Sequence, residues 1–407
     1  MTGTLLLLAI CTGLWWWYDD SDLREVKQRA KGLGLPVTWA ETGRVLTTGK
    51  RLATWKEMIA LRERSSLRSY ATSSNPKTLR KAFTPITPAL RAWHEKLSPG
   101  DMYRLLELID ELGTGLVVLH SSLNMRDSYP EMEQYRNLTD LLRERLLLAP
   151  TEQVGEEGRR LLGIISTWET PTMVSAFIRM RTFNEILVTL SERWQDLQQH
   201  GQDLIPLITR LTALMSDCVV QGETGQFLQF LDLVEHPPSY SECLGLGVIA
   251  DGSWDGSPRP WMFRTGRRHL LDTQIDWIVM LRGETPLRTA IQFGMDLERE
   301  PYREWRLHRR LARHFMMRPD VSMQALERCR MHAALFVAEL QSGPWPIDSF
   351  DPLLHPLRRV ERDGMLIGAY SVGEDGVDDG GIPRKDAYFP LYGPLEPPTP
   401  PATSPAP

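Results

Sequence analysis

Ser98-Pro99-Gly100-Asp101-Met102-Tyr103-Arg104-Leu105-Leu106-Glu107-Leu108-Ile109-Asp110-Glu111-Leu112 decides the fold class. Serine is a favoured N-cap, proline suits a first helical position that needs no N–H, and aspartate in the first turn complements the helix dipole. Behind this start signal Leu105, Leu106, Ile109, Leu112, Leu116 and Leu119 recur at helical spacing, which predicts a helix over 102–123. The same spacing returns near 131–148, 152–168, 171–198, 202–220, 222–234, 271–282, 285–299, 301–317 and 320–341. Residues 98–341 therefore read as one helical body, a bundle or irregular array, without the constant period of a solenoid.

Outward from that body the pattern changes. The stretch 236–269 is rich in Gly, Pro and Trp and reads as a long loop docked by its tryptophans. After Gly343, prolines at 344, 346, 352 and 356 break helix, and 365–372 and 387–392 read as strands. Residues 342–393 form a β-like tail, and 394–407 a Pro-rich end without apolar periodicity.

At the other end, Leu5-Leu6-Leu7-Leu8-Ala9-Ile10-Cys11-Thr12-Gly13-Leu14-Trp15-Trp16-Trp17-Tyr18 is apolar and uncharged, and Asp19 and Asp20 end it. As a helix it approaches the roughly 30 Å of a bilayer core, with its aromatic quartet at the headgroup level. A signal peptide would want a basic start and a small-residue cleavage site, a lipoprotein a small residue before Cys11, and a buried core helix is a further alternative. The reading preferred is a single transmembrane anchor over 1–20. The Arg24, Lys27, Arg29 and Lys31 cluster after it favours a cytoplasmic body by the positive-inside rule.

Net charge over 407 residues is −5, unevenly spread. From Leu23 to Lys96 there are 16 Lys and Arg against 5 Glu, and the chain from Leu97 onward carries −13. The helical, broken region 21–97 thus either meets something anionic (lipid headgroups, nucleic acid or the acidic body itself) or presents solvated helix faces. Nucleic-acid binding there predicts steep loss of affinity with salt, and the acidic body argues against it. Cys11, Cys218, Cys243 and Cys329 form no CxxC pair and read as buried thiols, with a Cys218–Cys243 disulfide as the alternative in an oxidising compartment.

The stretch Tyr370-Ser371-Val372-Gly373-Glu374-Asp375-Gly376-Val377-Asp378-Asp379-Gly380-Gly381 packs carboxylates among glycines. Glycine permits sharp turns and carboxylates are hard oxygen ligands, so Asp375, Asp378 and Asp379, with Glu374 and Asp386 as further ligands, are candidates to hold Ca²⁺. The EF-hand spacing is missing, and a polar β-turn accounts for the same residues. Together with Asp351-Pro352, Pro356-Leu357-Arg358 and Asp363-Gly364, the stretch resembles the C-terminal segment of exported planctomycete-type bacterial proteins. It resembles more loosely the calcium loop of type II secretion major pseudopilins. That resemblance implies export and the ligands Asp375, Asp378 and Asp386. It covers the tail alone: residues 1–18 hold no Glu, which a pilin carries just inside its apolar segment.

Other chemistry is sparse. Arg303, Arg306, Arg310 and Arg313 align on one side of a helix, a stripe suited to phosphates or to pairing with neighbouring Glu. No GxSxG, HExxH, P-loop or GxGxxG occurs, and nine histidines are scattered. The sequence reads as a mainly α protein, an irregular multi-helix bundle or array with one N-terminal transmembrane helix and a small C-terminal β-like appendage. It leans away from an enzyme. The expected role is a scaffold or interaction partner, anchored single-pass in the bacterial inner membrane with its bulk extracytoplasmic. A hydrolase-like enzyme with dispersed site residues is the alternative.

Overall fold

Residues 21–64, 98–113, 115–120, 130–169, 172–236, 260–283, 287–299, 319–362, 365–373, 375–381 and 386–391 are described by the computed structural model. The expected anchor, the arginine stripe at 303–314, Cys243 and the Pro-rich end lie outside them. Among the described residues no helix is long and apolar enough to cross a membrane.

The described helices are α1 (Ser21–Gly32), α2 (Gly49–Arg64), α3 (Pro99–Leu112), α4 (Pro130–Leu148), α5 (Val154–Ser166), α6 (Met173–Ser191), α7 (Trp194–His200), α8 (Ile205–Glu235), α9 (Pro260–Arg282), α10 (Leu287–Arg299) and α11 (Pro319–Leu340). Three antiparallel strands follow, β1 (Arg358–Arg362), β2 (Met365–Ser371) and β3 (Ala387–Pro390), with β2 in the middle. The chain is mainly α.

α8 is the axis of the body. It packs against α5, α6, α9 and α11, and its Phe227 and Phe230 meet Phe183 of α6, Trp277 of α9 and Phe336 of α11 in one continuous core. Ser98 caps α3 by accepting from the Asp101 N–H at 3.1 Å, as its sequence signals.

Several expected boundaries move, each for a local reason. The helix expected over 102–123 stops at Leu112. Gly113 takes φ +58°, and the chain runs on extended, with Val117 N–H donating to the Thr167 carbonyl. The segments 202–220 and 222–234 are one helix. Gly222 does not break it but lets it approach α6, where a Cβ would stand 2.9 Å from Met173 Sδ. The segment 171–198 divides into α6 and α7 around Glu192 and Arg193. The loop expected to reach 269 ends earlier, because Pro260 opens α9. β1 went unforeseen: Arg358, Arg359, Glu361 and Arg362 hide the alternation that normally marks a strand.

The basic N-terminal helices join the same core through Leu23, Val26, Trp55 and Met58. Their charges meet the acidic body: Lys27 pairs with Glu235, Arg29 with Asp272 at 2.6 Å and with Asp276, and Arg44 with Glu169 at 2.5 Å. In return Asp22 receives Arg267 Nε at 2.9 Å and Glu25 pairs with Arg268.

Candidate functional site

The C-terminal module is seated on the body by a second apolar cluster. Met331 and Leu335 of α11 pack with Phe350, Leu357, Ala369, Val372, Phe389 and Leu391. His332, buried between α11 and β3, stands 5.5 Å from the Phe389 ring, and its Nδ1 lies 3.3 Å from Asn184 Oδ1 of α6. Burial lowers its pKa to about 4.

Asp348 organises the module from inside. It is fully buried and accepts from Ser371 Oγ at 2.7 Å, Val372 N–H at 2.9 Å and Phe350 N–H at 3.0 Å. Arg358 sits among three carboxylates. It donates from Nε to Asp378 at 2.7 Å and from Nη2 to Asp351 at 2.8 Å, and Nη1 lies 3.4 Å from Asp348. Asp351 also accepts from Leu353 N–H at 2.8 Å and has His355 Nδ1 at 2.9 Å. The Leu353 N–H first, with Arg358 and His355, holds the Asp351 carboxyl down to about 2.

The four expected calcium ligands are placed as follows. Asp378 accepts from the Tyr370 hydroxyl and Gly380 N–H, each at 3.0 Å, besides Arg358. Burial pushes its carboxyl up, but Gly380, Tyr370 and Arg358 outweigh that and leave its pKa lowered. Asp386 is buried and accepts from Gly381 N–H at 2.7 Å. Asp375 is exposed and accepts from Val377 N–H at 3.0 Å within the turn, and Asp379 is half-buried. Among the described residues no three carboxylate, His or Cys groups gather as a metal-holding set. The cation beside Asp378 is Arg358.

The acidic turn abuts a loop that the sequence reading passed over. A Cβ on Gly376 would lie 3.2 Å from Pro352, which places the turn against the residue that precedes Leu353 and Leu354. These leucines are 74% and 62% exposed, and Leu354 has φ +56°. A left-handed leucine is costly and uncommon, on the order of 1–3 kcal/mol. Asp351 enforces it through Leu353 N–H and through its own carbonyl, which accepts from Leu354 N–H at 3.1 Å. Val377 and Ile347 are exposed as well, and Ile347 bridges to Pro356 beyond the leucines. The signal available in sequence was Asp351 followed by two adjacent leucines between prolines.

Inside the body, Glu223 of α8 accepts from Trp277 Nε1 at 2.9 Å and Gln274 Nε2 at 2.5 Å, and burial pushes its carboxyl up to about 7. Cys218 and Cys329 are buried and carry no disulfide.

Comparison with known proteins yields no family model, no curated protein and no solved structure that matches this chain.

Proposed function

We propose that the protein is a single-pass, membrane-anchored helical scaffold of the bacterial envelope, with its body extracytoplasmic, whose C-terminal module docks a partner through Leu353 and Leu354. One observation carries this reading: two adjacent leucines stand in solvent on a turn that Asp351 holds in a strained conformation. Folding alone gains nothing from exposing them, and strain that the surroundings enforce marks functional positions.

The partner's chemistry follows from the border of the patch. Asp375, Val377 and Asp378 are exposed on the turn that packs on Pro352, the residue before the leucines, so the patch fits an aliphatic segment flanked by lysine or arginine. An anionic bilayer surface would be repelled there. The anchor rests on the apolar run at 1–18, and export on the tail's resemblance to exported bacterial proteins. Calcium at Asp375, Asp378 and Asp386 is carried by that same resemblance, with Asp379 added by the pattern of carboxylates among glycines, and is set against Arg358 below.

The test is site-specific photo-crosslinking in the full chain, in cells that make it, from Leu353 and from Val45, which is 79% exposed in the N-terminal region. The reading expects one discrete adduct from Leu353, with a partner segment rich in basic residues. The adduct should be lost with Leu354→Asn and weakened by salt. Equal, diffuse labelling from both positions would overturn it.

A further inference from the structure

Among the described residues, adjacent large apolar side chains stand exposed together at two places: Leu353-Leu354 in the C-terminal module and Val45-Leu46 in the N-terminal region. The second pair is held out by the fold much as the first is. Gly43 and Gly49, at φ +68° and +62°, bracket a short loop that leads into α2. Thr47 N–H donates to the Val118 carbonyl at 2.9 Å, and Val118 N–H donates back to Thr47 Oγ1 at 2.8 Å. Arg44 donates to the His120 carbonyl and Arg51 to the Gly115 carbonyl, so the loop is tied at both ends to the segment 115–120. Leu116 of that segment is exposed as well.

The two pairs carry opposite borders. Asp375 and Asp378 are exposed on the turn that packs on Pro352, the residue before the leucines. Asp375 accepts from Val377 N–H and has no ion pair among the described residues. Val45 and Leu46 lie between Arg44 and Lys50. Arg44 is committed to Glu169, but the Lys50 side chain is 85% exposed and pairs with Glu111 only at 3.5 Å. A surface pair of that kind contributes little and is readily exchanged for another carboxylate. Both pairs are exposed in one chain, so they do not cover each other within it. Two copies of the chain, however, present both halves of a complementary contact.

We propose, resting on the docking through Leu353 and Leu354, that the partner is a second copy of this chain. The leucine pair of one copy seats against Val45 and Leu46 of the next, with Asp375 facing Lys50. Apolar surface is buried at the centre and opposite charges meet at the rim. The two patches differ, so the contact is heterologous and leaves one patch of each kind free at the ends. Repeated, it builds an open row or closes into a ring, as a scaffold requires. An anionic bilayer would attract the border of Val45 and Leu46 and repel that of the leucines. A second copy suits both.

Photo-crosslinking from Leu353 of the full chain, in cells that make it, should give an adduct of twice the chain's mass whose linked peptide contains Val45 and Leu46. From Val45 the same contact should be captured as a discrete adduct of that mass. Val45→Asp, at an exposed position, should reduce the Leu353 adduct at least about tenfold. Lys50→Glu should weaken it, and Lys50→Glu with Asp375→Lys should restore it. Two differently tagged forms, one Val45→Asp and the other Leu354→Asn, should each fail to self-associate and should form a two-chain complex when made together, since each keeps the half that the other lacks. A discrete Leu353 adduct to a different protein would overturn self-association and leave the docking role of the leucines standing. No discrete adduct from Leu353 would overturn both. A mixed pair that stays apart while the parent chain associates would overturn the head-to-tail contact.

Discussion

Arg358 donates from Nε to Asp378 at 2.7 Å while its Nη2 holds Asp351 at 2.8 Å. One guanidinium therefore ties the acidic turn to the loop that displays Leu353 and Leu354. The turn's charge and the loop's shape are set together.

Calcium and Arg358 compete for the same carboxylate. With Arg358 in place, thermal melting of the full chain should not shift between millimolar calcium and chelator. Arg358→Met removes the resident cation and should lower stability by about 2 kcal/mol. It should also make the melting temperature rise with calcium. A calcium-dependent rise in the unaltered chain, abolished by Asp378→Ala with Asp379→Ala, would instead establish the calcium site that the sequence resemblance implies.

Asp348 accepts two backbone N–H groups and the Ser371 hydroxyl in a fully buried position. Asp348→Asn keeps one acceptor oxygen and turns an NH₂ group toward these donors. A loss of about 2–3 kcal/mol is expected in urea unfolding, with faster amide exchange at Val372 and Gly373. An unchanged exchange pattern would show that Asp348 does not organise the module.

Glu223 makes the body less stable as pH rises. Its folded pKa of about 7 exceeds the ordinary 4.5, so between those values the folded state binds more protons, and stability falls as pH climbs. The penalty, on the order of 3 kcal/mol, is complete above pH 7. Glu223→Gln removes it. The introduced amide offers an NH₂ that a flipped Gln274 can accept through Oε1, an atom with no partner in the native arrangement. Urea unfolding at pH 5 and pH 8 should show a smaller loss in this variant than in the parent.

His332 works in the opposite direction, at the joint between body and tail. Its folded pKa of about 4 lies below the ordinary 6.5, so the unfolded or undocked state binds the extra proton. Docking is fully stabilised above pH 6.5 and weakens as pH falls toward 4. Hydrogen exchange in β3 should accelerate over that window and be flattened by His332→Phe. Acceleration confined to pH below 3 would point to Asp351 instead.

Much of this architecture was legible because helices carry their own punctuation. Ser98 and Pro99 fixed the start of α3, and the tail strands β2 and β3 stood out from the proline-rich chain around them. What was illegible depends on partners distant in sequence. Gly222 resembles a break until Met173 is placed against it. β1 is concealed because Arg358 spends its charge on Asp348, Asp351 and Asp378 rather than on solvent. Glu361 is an ordinary exposed-strand charge only once β2 is beside it. Asp348 gives no local sign of its role, since two of its partners lie 23 and 24 residues away.

The central claim is that Leu353 and Leu354 serve docking at the expense of folding. The direct measurement is Leu354→Asn in the full chain, scored for melting temperature and for the Leu353 crosslink. Asparagine tolerates the left-handed backbone better than leucine. The account predicts an equal or higher melting temperature with the adduct lost. A melting temperature lowered by several degrees, with the adduct retained, would contradict it and make the leucine turn a structural element.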